Sequence, residues 1–204
     1  MDLTSGVAVR LAALCLQENG RLRDFAIWDV AARGALLVDL ARAGRLTEEP
    51  DGIVVDGTPT GFEPADRLLA AIAVEPERTL DWWLDHGGVR MQDVADACIA
   101  SGRWTVERTL VGRRYADGSP EAEADRRLDP HRPGPGWDPD TAAVMALSLA
   151  CGAQGWPEPV VAAELEFTGP LRWVCEAVTD HLAQAHRHNL RAAGAADGGF
   201  SPYM

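Results

Sequence analysis

Residues 32–46 read Ala32-Arg-Gly-Ala-Leu-Leu-Val-Asp-Leu-Ala-Arg-Ala-Gly-Arg-Leu46, an apolar segment that ends at a glycine and continues into an extended one. Its apolar residues, together with those just before it, recur at spacings of three and four, which predicts an amphipathic helix over residues 25–43. Gly44 stands where a helix end favours a residue in the left-handed conformation. Residues 45–47 and 53–55 flank Glu-Glu-Pro-Asp-Gly and predict a short β-hairpin directly after the helix.

Helical patterns extend on both sides of this unit. Apolar spacing, prolines in first turns and glycines at helix ends predict further helices over residues 3–16, 64–73, 79–86, 89–101, 139–151 and 170–193. Residues 104–111 alternate in the manner of a strand and predict a second hairpin. The segment 116–137 is rich in Pro, Gly, Asp and Arg, which favours an exposed loop. We therefore expect a mainly α fold, a single multi-helix globular domain over residues 1–193 with one or two short β-hairpins, and a flexible tail over 194–204.

The composition is that of one globular domain. The chain has 204 residues, of which 47% are hydrophobic and 25% charged, enough to build a proper core. No run approaches the roughly 18 consecutive apolar residues that a membrane span needs, and the first residues lack the pattern of a secretory signal. We therefore expect a cytoplasmic protein.

The charge of the chain is strongly acidic but unevenly distributed. The net charge of −12 argues against nucleic-acid binding, because phosphate neutralisation needs a basic surface. All 19 basic residues are arginines, and there is no lysine. Between Arg90 and Arg114 there are five arginines against three acidic residues. This region is the basic exception on an acidic chain.

The residues that usually carry chemistry form no recognisable catalytic or metal motif. The four cysteines lie far apart in apolar helical contexts and without a C-x-x-C pair, so we expect buried free thiols. His181, His186 and His188 provide no third ligand at helical spacing, so we expect neither a metal nor another cofactor. There is no G-x-S-x-G motif and no Walker lysine, which disfavours an enzyme.

Four segments, in the same order along the chain, carry a family resemblance. Residues 32–46 are similar to an R-G-x-x-L-x-E-L-A-x-x-G-R-L segment, and Asp56-Gly-Thr-Pro-Thr-Gly61 resembles a P-T-G loop. The helix from Val89 that ends at Ala-Ser-Gly102 resembles V-R-x-x-x-x-x-L-x-x-x-G, and Asp138-Pro-Asp-Thr-Ala-Ala-Val-Met-Ala-Leu147 resembles D-P-x-x-x-x-L-x-x-L. All four patterns belong to the Golgi phosphoprotein 3 family, of which this chain resembles a bacterial member.

The resemblance implies a helical domain that binds phosphatidylinositol 4-phosphate through a tryptophan and arginines, with a β-hairpin at the membrane. Arg33 falls on the first family arginine, and Arg90 lies one residue from the position of another. The family tryptophan falls on Asp24, and Trp28 follows one helical turn later. The resemblance therefore predicts a headgroup site of Arg33, Arg90 and Trp28. The structural alternative for Arg33 is a pair with Asp29, one turn before it.

The second hairpin predicts a contact at the level of the lipid headgroups. Leu110 and Val111 are its aliphatic pair, and Arg113 and Arg114 follow them. Arginines beside a small apolar tip suit such a contact better than deep insertion.

Two functions are compatible with the sequence. The first is a peripheral membrane protein on the inner face of the membrane that binds an anionic phospholipid headgroup resembling phosphatidylinositol 4-phosphate. The alternative is a protein-interaction adaptor that keeps the fold without the lipid pocket, because a fold alone does not determine function. Protein partners are compatible with both, and the oligomeric state is left open.

Overall fold

The fold is described from a computed structural model, which covers residues 2–22, 26–50, 52–110, 112–134, 136–153, 155 and 158–197. The helices within these residues are α1 (Val7–Leu14), α2 (Ala26–Arg42), α3 (Glu63–Val74), α4 (Leu80–His86), α5 (Met91–Ala100), α6 (Pro120–Arg126), α7 (Pro139–Cys151), α8 (Ala162–Glu166) and α9 (Arg172–Asp197), with short 3₁₀ turns at Leu3–Ser5 and Gly169–Leu171. The strands form two separate antiparallel hairpins, β1 (Leu46–Glu49) with β2 (Gly52–Val55) and β3 (Trp104–Thr109) with β4 (Gly112–Asp117). The predicted fold class, a mainly helical single domain with short hairpins, is confirmed.

The core lies where α1, α2, α7 and α9 pack against one another. Helix α2 is buried on nearly all sides between residues 31 and 40, and α7 is buried from Ala142 to Cys151. Gly34 allows α2 to approach α9 closely: a Cβ at this position would lie 3.3 Å from Cγ2 of the buried Val178 and well under 3.0 Å from Cγ1. Tight packing of this kind leaves no room for an added methyl group.

A buried carboxylate fixes the start of α1 against α2. The side chain of Asp39 is fully buried, and its oxygens accept hydrogen bonds from the backbone N–H groups of Val7, at 2.8 Å, and Ala8, at 2.9 Å. Arg42, one turn later on α2, lies 3.4 Å from the same carboxylate. Burial raises the pKa of Asp39 to about 6, although Arg42 and the two amides favour the charged form. A Cβ at Gly6 would lie 2.6 Å from Oδ2 of Asp39, so this contact requires glycine there.

Two parts of the sequence prediction are corrected. The segment 116–137, predicted as an exposed loop, contains α6, in which Asp125 is buried and accepts hydrogen bonds from Arg10 at 2.6 and 2.8 Å. Its helix begins because Ser119 caps it and Pro120 occupies its first turn. Helix α9 continues to Asp197, so the start of the predicted tail is helical. The rest of that tail, residues 198–204, lies outside the described residues.

Candidate functional site

Two side chains of α2 hold the loop between α4 and α5 in place. Arg33 donates hydrogen bonds from Nε to the carbonyl oxygen of Leu84 at 2.5 Å and from Nη1 to that of Val89 at 2.9 Å. Asp29, one turn earlier on α2, accepts a hydrogen bond from the backbone N–H of Met91 at 2.9 Å. The loop is therefore fixed through main-chain atoms at both of its ends.

The environment of Arg33 is that of a structural cation. The residue is only 8% exposed, and burial lowers the pKa of its guanidinium, whereas the nearby carboxylates of Asp29 and Asp85 raise it. A Cβ at Gly87 would lie 2.9 Å from Cδ of Arg33, so this glycine makes room for the arginine side chain. The hydrogen bonds of Arg33 go to backbone carbonyls, and not to Asp29 as in the alternative raised by the sequence.

The other two predicted headgroup residues lie in contrasting environments. Arg90 follows Val89 directly, caps the N-terminus of α5 and is exposed, with no ion pair within 4.0 Å in the described part of the chain. Its backbone N–H donates to Asp93, which also pairs with Arg67 at 2.9 Å. Trp28 is 3% exposed and packs in the core, so its ring presents almost no surface to a ligand. Arg33 is thus buried against the carbonyl oxygen of Val89, the next residue, Arg90, is exposed, and Trp28 lies in the core.

The second hairpin projects an apolar tip into solvent. Leu110 has a relative exposure of 107%, and Val106, earlier on β3, has 37%. Thr109 donates a hydrogen bond from Oγ1 to the carbonyl oxygen of Gly112 at 2.9 Å, which ties the two sides of the turn together. Val111, also predicted as a membrane contact, lies outside the described residues.

The base of the hairpin is anchored on α5. Trp104 and Tyr115 are buried there with ring centroids 6.2 Å apart. Gln92 donates from Nε2 to the hydroxyl oxygen of Tyr115 at 2.6 Å and to Asp96 at 3.1 Å, and Arg113 donates to the same carboxylate at 2.7 Å. The Tyr115 hydroxyl and the Asp96 carboxylate raise the pKa of Arg113. The hairpin and the α4–α5 loop therefore share α5 as their support.

The two faces of the hairpin differ in charge. The strand register places Glu107 opposite Arg114 on one face and Arg108 opposite Arg113 on the other. Arg108 and Arg114 are exposed, and neither makes an ion pair within 4.0 Å among the described residues. Arg108 is one of the five arginines between Arg90 and Arg114, but the sequence did not predict it as a site residue. The strand register identifies it by placing it opposite Arg113, and this register depends on the length of the turn.

The remaining candidates have structural environments. None of the four cysteines forms a disulfide and all four are buried, as predicted, and burial raises the pKa of Cys98 and Cys175 to about 12. His181 lies between two carboxylates of α4, with Nδ1 3.1 Å from Asp81 and Nε2 2.9 Å from Asp85. The side chain of His188 lies outside the described residues.

The chain matches the model of a known protein family. The family model for Golgi phosphoprotein 3 (GPP34) matches residues 8–185, most of the chain. The chain belongs to the Golgi phosphoprotein 3 family. Among curated proteins, none matches the chain significantly. Membership in the Golgi phosphoprotein 3 family is associated with lipid and protein binding. Within the residues that the structure covers, every helix is too short or too polar to cross a membrane.

Proposed function

We propose that this protein is a peripheral membrane protein that binds an anionic phospholipid headgroup, with the β3–β4 hairpin as its membrane contact. The observation that carries the proposal is the hairpin tip. Leu110 is fully exposed there, among three arginines and one glutamate, on a chain whose net charge is −12. A basic surface with an exposed apolar residue fits the interface of an anionic bilayer.

The hairpin alone supports weak and reversible binding. Burial of one leucine contributes about 1.5–3 kcal/mol. Each arginine near an anionic surface contributes about 1 kcal/mol, and Glu107, opposite Arg114, together with Asp96, paired with Arg113, offsets two of the three. The total of roughly 2.5–4 kcal/mol corresponds to a dissociation constant above about 1 mM. A second contact is therefore needed for useful affinity.

Arg90 supplies the second contact in this proposal. Its guanidinium is exposed and unpaired in the described part of the chain, and Arg33 fixes the loop that carries it. A guanidinium binds a phosphate group through two parallel hydrogen bonds, which favours a phosphorylated headgroup such as that of phosphatidylinositol 4-phosphate. The protein acts by binding and not by catalysis, in the cytoplasm at the inner face of the membrane.

The test of this function is co-sedimentation with vesicles at low and physiological salt. Phosphatidylcholine vesicles are compared with vesicles that also contain phosphatidylinositol 4-phosphate or cardiolipin. We expect salt-sensitive binding to the anionic vesicles alone, weakened about tenfold or more by Leu110→Ser because the leucine burial is lost. Val161→Ser, which removes an exposed apolar residue just before α8, is the matched control and should bind like the wild type. Failure of the folded wild type to bind any vesicle would exclude the function.

A protein-interaction adaptor is the second candidate function. The observation that favours it is the burial of Trp28 together with the two hydrogen bonds from Arg33 to backbone carbonyls, since neither side chain is open to a headgroup. Under this function the exposed hairpin tip contacts a protein. Wild type and Leu110→Ser would then differ in the proteins they retain from a cell lysate, while neither would bind vesicles.

A further inference from the structure

Two arginines face each other across the β3–β4 hairpin, so each has a like charge and not a carboxylate opposite it on the neighbouring strand. Arg108 on β3 is the register partner of Arg113 on β4. Residues directly opposite in an antiparallel pair have Cβ atoms about 4.5–5.5 Å apart, and like charges in that arrangement destabilise the hairpin. The opposite face pairs Glu107 with Arg114, which is the favourable combination. The Arg108–Arg113 pair therefore destabilises the hairpin locally, whereas the opposite face has no like-charge pair.

One member of this pair is held in place and the other is free. Arg113 donates to Asp96 at 2.7 Å, and Gln92 fixes that carboxylate at 3.1 Å while also binding Tyr115. A single carboxylate neutralises one guanidinium, so Asp96 leaves the charge of Arg108 uncompensated. The guanidinium of Arg108 is exposed and makes no ion pair within 4.0 Å in the region described. The face therefore carries one positioned arginine and one available arginine.

The distance from the hairpin tip to the arginine pair is similar to the depth of the acyl-chain boundary below the headgroup surface. Arg108 on β3 lies two residues before Leu110, which follows the strand in the turn, so the two residues are at most about 7 Å apart along the chain. An apolar side chain at the boundary between acyl chains and headgroups lies about 5–10 Å below the headgroup surface. With Leu110 at that boundary, Arg108 and its partner Arg113 reach the level of the lipid phosphates.

We propose that Arg108 and Arg113 form a two-guanidinium clamp for the phosphate group of an anionic phospholipid at the membrane surface. The phosphate supplies the counter-charge that Arg108 lacks, and two guanidinium groups provide bidentate donors to its oxygens. Asp96 is a positioning residue, because it orients Arg113 without contacting the lipid. Arg114, on the opposite face, contributes only general attraction. The clamp rests on the proposed membrane function and adds a specific phosphate site to it.

The test compares three single variants that remove the same charge from the same hairpin. Arg108→Gln and Arg113→Gln should each weaken binding to phosphatidylglycerol vesicles by more than about tenfold. Arg114→Gln should weaken binding only about fivefold, the effect of one arginine near an anionic surface. Arg108→Lys, which keeps the charge but loses the planar fork, should fall between wild type and Arg108→Gln. Equal losses for Arg108→Gln and Arg114→Gln would overturn the clamp while leaving the membrane function standing.

The same variants carry a second readout in the absence of lipid. Arg108→Gln should raise the melting temperature of the free protein by up to about 3 °C, because the like-charge pair is removed, whereas Arg114→Gln should lower it by removing the partner of Glu107. A fall in melting temperature for Arg108→Gln would contradict the like-charge argument. This readout is independent of vesicles, so it separates failure of the clamp from failure of the proposed function, in which wild type binds no vesicle.

Inorganic phosphate tests whether the clamp serves a lipid or a free anion. At matched ionic strength, phosphate should not displace the wild type from phosphatidylglycerol vesicles, because it lacks the apolar part that Leu110 contacts. Displacement by phosphate at millimolar concentration, with a phosphate-dependent rise in melting temperature that Arg108→Gln abolishes, would assign the clamp to a free anion and overturn the lipid assignment.

Discussion

The contact between α2 and α9 at Gly34 predicts a stability loss where helix propensity alone predicts a gain. Alanine is favoured over glycine in a helix interior by about 1 kcal/mol. At Gly34, however, the added Cβ would lie well under 3.0 Å from Cγ1 of Val178, which is fully buried. Valine in a helix has one strongly preferred rotamer, so it cannot rotate away and the helices must separate. Overpacking of this kind costs about 1–3 kcal/mol.

The severe overlap places Gly34→Ala at the upper end of that range, so the net loss should be about 2 kcal/mol after the propensity gain. In a domain of this length the loss lowers the melting temperature by about 4–8 °C. The control is Gly57→Ala, where a Cβ would meet only Cβ of Ala73 at 3.9 Å. We expect Gly57→Ala to change the melting temperature little. Calorimetry or thermal denaturation followed by circular dichroism measures both variants.

A double mutant tests the cause directly. Val178→Ala removes the two methyl groups that the new Cβ would strike, at the cost of a cavity. Gly34→Ala should therefore be tolerated, or should even stabilise, in the Val178→Ala background, which gives a coupling energy of at least about 1 kcal/mol. Additive effects of the two substitutions, or a higher melting temperature for Gly34→Ala alone, would refute the packing argument.

Three further predictions concern buried groups. Arg33→Met should lower the free energy of unfolding by about 2–4 kcal/mol, because two buried carbonyl oxygens lose their donor. Arg90→Met, at an exposed position, should change the free energy of unfolding by less than about 0.5 kcal/mol. Urea denaturation measures both variants. The four buried cysteines should resist a thiol reagent until the protein unfolds, and modification of the native protein at the rate of a free thiol would contradict this. Burial raises the pKa of Asp39 from 3.8 to about 6, so folding favours its protonated form. The stability that Asp39 contributes is therefore fully present below about pH 4 and is lost as the pH rises through 6. The wild type should therefore lose up to about 3 kcal/mol more than Asp39→Asn between pH 4 and pH 7 in denaturant titrations, and equal slopes would show that Asp39 does not titrate in this window.

Helices with strong local signals were predicted well from the sequence. Apolar spacing and Gly44 predicted a helix over 25–43, and α2 spans Ala26–Arg42. The Asp138-Pro139 start predicted α7, whose first turn is capped by Asp138. These signals depend on residues within one or two turns of each other, so they can be read without the tertiary structure. Helix α6 was missed because it lies in a segment whose Pro, Gly, Asp and Arg content favours a loop, and α8 was missed because five residues are too few for a periodic pattern.

The candidate site was harder to predict because its contacts are long-range. The resemblance identified Arg33 as important, but its partners Leu84 and Val89 lie 51 and 56 residues further along the chain. No local pattern shows that an arginine will bind backbone carbonyls so far away. Likewise, only the strand register shows that Arg108 faces Arg113. The sequence could suggest which residues matter, whereas the structure was needed to show what each one contacts.

The way in which α2 holds the α4–α5 loop makes the position of the loop independent of most of its side chains. Arg33 and Asp29 contact the carbonyl oxygens of Leu84 and Val89 and the amide of Met91, main-chain atoms that every amino acid except proline carries at those positions. The exposed side chain of Arg90 can therefore be exchanged in evolution, or in a designed library, without loosening the loop. Gly87 is the exception, because it must leave space for Arg33. Under the proposed function, the ligand preference of the loop can therefore change while the contacts that hold it stay the same.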